Sequence, residues 1–147
     1  MAPAVSHGAV MPSADLTLPE LVAWGEAFGA RLEPPAVFTF SGELGAGKTT
    51  LVQAICRGYG VTESVTSPTF ALVHEYHAPK SIVRHLDLYR LKGVEELALI
   101  GWDDSVFGDG VALVEWPERA GDELPDDLGA FRLEHIAGAP EKRRLIW

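Results

Sequence analysis

A glycine-rich stretch from Ser41 to Thr50 (SGELGAGKTT) carries residue types that could bind phosphate. Gly42, Gly47, Lys48 and Thr49 match the pattern G-x-x-x-x-G-K-[ST]. Glycines let backbone N–H groups turn toward phosphate oxygens, and a helix N-terminus adds its positive dipole end. Lys48 can reach the β- and γ-phosphates, and the Thr49 hydroxyl suits Mg²⁺. The residues expected around the nucleotide are Glu43, Leu44, Gly45, Ala46, Gly47, Lys48, Thr49 and Thr50.

A magnesium site of this kind also needs a carboxylate beside the Thr49 hydroxyl, and the segment VALVEW supplies the best candidate. Four apolar residues lead into Glu115, which places its carboxylate at the C-terminal end of a buried strand, where ligands gather in open α/β sheets. We expect Glu115 to hold the metal together with Thr49; the alternative is an exposed glutamate at a strand end. Trp116 either packs near the nucleotide or covers the core.

The segment RHLDLYR places three polar side chains on one strand face if it is extended. Asp87 could face the γ-phosphate and position or deprotonate the attacking water, with His85 and Tyr89 as its supports. The alternative is a solvated strand edge. A further loop, SPTF, holds Thr69 beside a stiffening proline; it either senses the γ-phosphate or is an ordinary turn before a strand.

The elements that must position these residues follow from periodicity and turn signals. Thr17 and Glu20 form a capping-box pattern before a predicted amphipathic helix over 18–32. We further predict a strand at AVFTF, a helix over 48–59, a hairpin over roughly 69–77 and 81–90, a short helix at VEELALIGW, a strand at VALVEW and two strands in the tail. Residues 1–16 read as a flexible leader, and 17–147 as one domain. The expected fold is a single-domain α/β P-loop NTPase with three α/β/α layers and a mixed central sheet.

Composition narrows the class of partner. The net charge is −9, with 12 basic against 21 acidic residues, and nine acidic residues but one basic residue lie between Gly101 and Leu128. Such a surface repels nucleic acid, so any role on RNA would use a basic partner protein. A single cysteine and strand-sized apolar runs indicate a reducing cytoplasm and no membrane segment. The chain has no asparagine, which excludes the N-K-x-D guanine motif and favours adenine by elimination.

Four motifs in series, GELGAGKTT, SPTF, HLDLYR and EWPE, resemble the TsaE (formerly YjeE) family in order and approximate spacing, over roughly residues 17–147. The resemblance implies Mg²⁺-dependent ATP hydrolysis, in which Lys48 holds phosphates, Thr49 and Glu115 bind the metal and Asp87 is the catalytic carboxylate. Thr69 would lie in a switch-like loop, and Trp116 beside the acidic ligand.

The resemblance also implies partners. The family acts with the TsaD and TsaB proteins, which install threonylcarbamoyl on adenosine 37 of tRNAs that read ANN codons. TsaE would use ATP to reset that assembly, would be a weak ATPase alone, and would meet tRNA only through the complex.

Two other functions remain open at this point. A small-molecule P-loop kinase would need several arginines around the transferred phosphoryl group; the eight arginines here are scattered. A nucleotide-sensing module without turnover is the other, and the pair Asp87 and Glu115 argues against it.

Overall fold

The computed structural model describes residues 11–65 and 72–147. Three α-helices are present in this part of the chain: α1 (Leu18–Arg31), α2 (Lys48–Tyr59) and the short α3 (Trp102–Val106). The strands are β1 (Ser13–Thr17), β2 (Ala36–Gly42), β3 (Val73–His77), β4 (Ile82–Asp87), β5 (Val111–Glu115), β6 (Gly129–His135) and β7 (Lys142–Ile146). Two 3₁₀ segments, Val94–Ile100 and Pro117–Glu123, follow β4 and β5.

All seven strands form one mixed sheet in the order β1-β7-β6-β2-β5-β4-β3. The centre is parallel: β2 lies between β5 and β6, and β5 pairs in parallel with β4. The two edges are antiparallel, with β3 on β4 at one side and β7 and β1 beyond β6 at the other. The β2 strand, which leads into the glycine-rich loop, is therefore the middle of the sheet.

Alternating residues of the central strands face two separate apolar cores. Phe38, Phe40 and Leu113 pack beneath α1 and α2, whereas Val37 and Val114 pack with the 3₁₀ segments and α3 on the opposite face. Because both faces are covered, the central strands read as nearly continuous apolar runs. The prediction of an α/β fold with three layers and a mixed sheet is confirmed.

Helix α1 begins with the predicted capping box. The Thr17 backbone N–H donates to Glu20 Oε1 at 2.8 Å, and the Glu20 N–H donates to Thr17 Oγ1 at 3.4 Å. The helix then packs directly on α2 through small residues: a Cβ on Gly29 would lie 2.9 Å from the backbone nitrogen of Tyr59, and one on Gly25 would lie 2.7 Å from the Cβ of Ala54. Backbone-to-backbone approach of α1 fixes the position of α2 above the sheet.

Three boundaries differ from the sequence-based predictions. Residues 13–16 of the expected leader belong to β1, which pairs with β7, because the chain of β7 offers a free edge there; residues 1–10 lie outside the described residues. The segment VEELALIGW forms a 3₁₀ segment and the start of α3, interrupted where Gly101 adopts a left-handed conformation. The predicted hairpin is present as β3 paired with β4, whose strand ends at Asp87 and not at residue 90; residues 69–71 of its predicted first strand lie outside the described residues. Within the described residues, no helix is both long and apolar enough to span a bilayer.

Candidate functional site

The glycine-rich loop crosses from the end of β2 to the start of α2. Gly42 has φ 139° and Gly47 has φ 102°, backbone conformations that L side chains rarely adopt. A Cβ on Gly42 would also lie against the main chain of Leu133 on the neighbouring strand β6. Inside the loop, the Ala46 N–H donates to the Glu43 carbonyl at 3.1 Å. The glycines thus allow a tight turn whose end is the N-terminus of α2.

Lys48 is the first residue of α2, and its side chain folds back over the loop. Its Nζ donates to the carbonyl oxygens of Gly42 and Glu43 at 2.6 and 2.8 Å and lies 4.3 Å from the centre of the Trp116 ring. Burial lowers the pKa of Lys48, an effect that the nearby carboxylates, Glu115 foremost, partly oppose. The ammonium is held at the mouth of the loop by oxygens and an aromatic face.

Thr49 and Glu115 meet directly beneath the loop. Thr49 Oγ1 lies 3.0 and 3.1 Å from the two carboxylate oxygens of Glu115. Glu115 ends β5 and is 2% exposed. A hydroxyl and a carboxylate are hard oxygen donors of the type that Mg²⁺ takes, usually together with waters and substrate phosphates. Residues 11–65 and 72–147 contain no cluster of three or more His, Cys, Asp or Glu side chains able to hold a metal.

Asp87 ends β4, directly beside Glu115 in the parallel register of β4 and β5. Its Oδ1 accepts the backbone N–H of Tyr89 at 3.1 Å. The Tyr89 ring lies 4.9 Å from the Trp116 ring, which is half-buried. Trp116 adopts a left-handed backbone conformation with φ 57°, the one non-glycine residue to do so among those described. The indole lies against Lys48 and also packs on the edge of the apolar core that contains Val37 and Val114.

These groups line one cleft of about 300 Å³. Loop and helix contribute Leu44, Gly45, Gly47, Lys48, Thr49 and Thr50, and the sheet side contributes Asp87, Tyr89, Glu115 and Trp116. Two of the predicted nucleotide-binding residues do not line this cleft. Ala46 is fully buried in the core. The backbone carbonyl of Glu43 accepts a hydrogen bond from Lys48 Nζ. Thr69, with the rest of SPTF, lies outside the described residues.

His85 occupies a different position from the one predicted. The sequence suggested a support for Asp87, but the fully buried imidazole places Nε2 at 2.5 Å from Glu115 Oε2. The reason lies in the sheet register: His85 is opposite Leu113 of β5, so its side chain reaches the adjacent same-face residue, Glu115. Strand alternation could identify the face but not this cross-strand partner.

A second cavity, of about 560 Å³, lies on the other side of the loop and shares Gly45, Gly47 and Thr50 with the cleft. Its remaining walls come from distant parts of the chain: Thr17, Leu18 and Pro19 before and within α1, and Pro140, Glu141 and Arg143 near β7. Sequence reasoning missed this site, because no local pattern links the first turn of α1 to the β6–β7 turn.

Comparison with known proteins indicates the same family as the order of the four sequence motifs. The family model described as "Threonylcarbamoyl adenosine biosynthesis protein TsaE" matches residues 17–145. The tRNA threonylcarbamoyladenosine biosynthesis protein TsaE of Treponema pallidum is 42% identical over 78% of this chain and 84% of its own length. The protein of the same name from Bacillus subtilis is 37% identical over 74% and 67%.

A solved structure extends the likeness to the fold. The crystal structure of YdiB from Bacillus subtilis superposes with a TM-score of 0.72 and 26% identity, covering 95% of this chain and 86% of YdiB. The matched family range includes the glycine-rich loop, Asp87 and Glu115, whose side chains the sheet brings into one cleft. The chain therefore belongs to the TsaE family of tRNA threonylcarbamoyladenosine biosynthesis proteins and has the P-loop NTPase fold of that family.

Proposed function

We propose that the protein is a Mg²⁺-dependent ATPase that serves the TsaD–TsaB pair in forming N6-threonylcarbamoyladenosine at position 37 of tRNAs reading ANN codons. One observation carries the ATPase part: Thr49 and Glu115 oxygens meet 3.0–3.1 Å apart at the N-terminus of α2, with Asp87 beside them in the same cleft. A phosphate-binding loop needs these oxygens for hydrolysis more than for binding alone.

Phosphate binding falls to the loop and Lys48. The amides of the loop and of the first turn of α2 face anionic oxygens with the favourable end of the helix dipole. The Lys48 ammonium, held by the Gly42 and Glu43 carbonyls, can exchange these acceptors for the β- and γ-phosphate oxygens. Because burial already lowers its pKa, an anionic partner would strengthen the charged form.

Thr49 and Glu115 would hold the metal on the sheet side of the phosphates. Mg²⁺ held by these two residues would supply positive charge to the phosphate oxygens. Glu115 is buried at the end of the central strand β5, which places its main chain beneath the phosphate-binding loop. Asp87, one strand further out, would orient the attacking water and accept its proton. Thr69 would contact the γ-phosphate from the loop that precedes β3.

The nucleoside would extend from the cleft around the loop into the second cavity. The two cavities share Gly45, Gly47 and Thr50, so a ligand held by its phosphates in the first can place its base in the second. Leu18 and Pro19 offer apolar surface there, which suits a purine face. Adenine remains favoured because the chain lacks the guanine motif.

Charge supports a role that depends on partner proteins. With a net charge of −9, the protein is poorly suited to hold tRNA itself, since binding of nucleic acid rests on basic side chains. Contact with tRNA would pass through TsaD and TsaB, and turnover of ATP would be slow until they bind.

A small-molecule kinase is the less favoured function. Lys48 is the single cation among the described residues that line the cleft, whereas transfer to a bound acceptor needs several cations around the moving phosphoryl group. Release of inorganic phosphate is the expected outcome, in place of a phosphorylated metabolite.

Two substitutions test the assignment. Asp87→Asn should leave ADP affinity within about twofold and lower hydrolysis by about 10²–10⁴-fold, the usual loss for a catalytic acid–base group. Glu115→Ala should weaken Mg²⁺-dependent hydrolysis more than metal-free ADP binding. The exposed Asp104 provides a matched control, since Asp104→Asn should alter neither. Undiminished hydrolysis in Asp87→Asn would remove the catalytic carboxylate from the proposal, and equal losses in Glu115→Ala would assign Glu115 to folding.

A further inference from the structure

The buried imidazole of His85 contacts the carboxylate that the proposed function assigns to the metal. His85 is fully buried on β4, and its Nε2 lies 2.5 Å from Glu115 Oε2. Thr49 Oγ1 lies on the other side of the same carboxylate, within 3.1 Å of both oxygens. His85 on β4 and Thr49 in the first turn of α2 therefore both contact the buried carboxylate of Glu115.

The other ring nitrogen indicates which tautomer makes this contact. Nδ1 of His85 is buried and has no hydrogen-bond partner among the described residues. A proton on Nδ1 would be a buried donor without an acceptor, which costs free energy. The proton therefore belongs on Nε2, and the imidazole donates it to Glu115.

A donor at this position matters because an ionised carboxylate is unfavourable in a buried site unless hydrogen bonds stabilise it. The donor also matters because the side chain of Glu115 can rotate. The single hydroxyl of Thr49 donates only one hydrogen bond, which leaves the plane of the carboxylate free to turn. Partners behind metal ligands commonly fix the orientation of those ligands, and their loss lowers metal affinity about 10–100-fold.

We propose that His85 is a positioning residue for the metal: its Nε2–H orients the Glu115 carboxylate toward the position that Mg²⁺ takes beside Thr49. This inference rests on the proposed function of Glu115 and Thr49 as metal ligands. His85 itself does not line the nucleotide cleft, so it acts on the metal through Glu115 and has no direct part in holding the nucleotide.

Three variants separate the hydrogen bond from the space that the ring fills. Gln carries its amide nitrogen the same number of bonds from Cβ as Nε2, so His85→Gln can still donate to Glu115. Asn places its amide at the position of Nδ1, and Leu removes all donors, so His85→Asn and His85→Leu cannot. His74 lies opposite His85 on β3 and bonds Tyr76; His74→Gln is the matched control.

The measurement is Mn²⁺ binding to the protein–ADP complex, followed by electron paramagnetic resonance, together with metal-free ADP binding by calorimetry and a thermal melt. We expect His85→Asn and His85→Leu to bind Mn²⁺ at least about tenfold more weakly. The Mn²⁺ affinity of His85→Gln and His74→Gln should stay within about threefold of that of the unsubstituted protein. Metal-free ADP affinity should change little in all four variants. Equal losses of Mn²⁺ affinity in folded His85→Gln and His85→Leu would overturn the inference. Unchanged Mn²⁺ affinity in all three His85 variants, or failure of all three to fold, would overturn it as well. Absence of ADP-dependent Mn²⁺ binding in the unsubstituted protein would instead overturn the proposed metal site, and this inference with it.

Discussion

Gly29 lies where α1 touches α2, and the substitution Gly29→Ala tests how closely the two helices must approach. An added Cβ would lie 2.9 Å from the Tyr59 nitrogen and 3.0 Å from the carbonyl carbon of Ile55, whereas ordinary contacts of a Cβ begin near 3.4 Å. These are backbone atoms, which cannot rotate away as a flexible side chain can. The nearest atom to the added Cβ is the carbonyl oxygen of Ile55, which lies closer than either of these. The two helices must therefore move apart.

Two opposing terms set the size of the effect. Forcing an extra methyl group into a packed contact costs about 1–3 kcal/mol. Replacing a glycine in a helix interior by alanine returns about 0.5–1 kcal/mol of stability. Because the added Cβ meets backbone atoms, the upper half of the packing range applies, about 2–3 kcal/mol, and Gly29→Ala should lower the free energy of unfolding by about 1–2.5 kcal/mol. For a chain of this length the melting temperature should fall by about 2–10 °C.

Urea unfolding monitored by circular dichroism measures this difference, with Ala27→Gly as the control. Ala27 is exposed on the same helix, so its substitution reports the helix-propensity cost of a glycine away from the buried face of α1. A Gly29→Ala protein as stable as the unsubstituted one, with Ala27→Gly showing the usual loss, would refute the close approach of the two backbones.

Three further predictions concern the core, the start of α1 and the buried thiol. Phe131 packs against four aromatic rings, those of Phe28, Phe38, Phe40 and Trp24, so Phe131→Ala should lower the free energy of unfolding by about 3–5 kcal/mol. Phe107 is exposed, so Phe107→Ala should change it by no more than about 0.5 kcal/mol. Similar losses at both positions would contradict the assigned core. Thr17→Ala should cost about 1 kcal/mol through loss of the capping box, with Thr17→Ser near neutral; equal stability of all three proteins in thermal melts would rule out the cap. Burial raises the pKa of the Cys56 thiol from 9.0 to about 12, so the stability that the protonated thiol supports is present below pH 9 and is lost as the pH rises toward 12. Relative to Cys56→Ala, the unsubstituted protein should therefore lose about 1 kcal/mol more between pH 8 and pH 10 in urea titrations, and parallel pH profiles would show the thiol to be accessible.

Local patterns in the sequence predicted the helices well. The spacing of Leu21, Phe28 and Leu32 and the capping box at Thr17 place α1 within one residue of its observed end, and the glycine at position 60 ends α2 as expected. Strand β1 was not predicted because its stability depends on pairing with β7 at the far end of the chain. Such long-range pairing leaves no periodic signal in a five-residue strand.

The site residues were predicted by type and place in the chain, whereas their partners depend on how the strands line up. The register of β4 on β5 sets Asp87 beside Glu115 and turns His85 toward the same carboxylate. Trp116 was ambiguous between core and nucleotide site because its direction is set by a left-handed backbone turn, which is uncommon outside glycine. Both outcomes depend on three-dimensional geometry that residue spacing alone does not encode.

The rate of ATP hydrolysis with and without the TsaD–TsaB pair decides whether this protein is a partner-dependent ATPase. The purified protein should bind ADP and ATP, release inorganic phosphate slowly alone, and accelerate when the pair is added, while Asp87→Asn stays inactive in both conditions. A rate that the pair leaves unchanged, or efficient phosphorylation of a small metabolite, would exclude the proposed function.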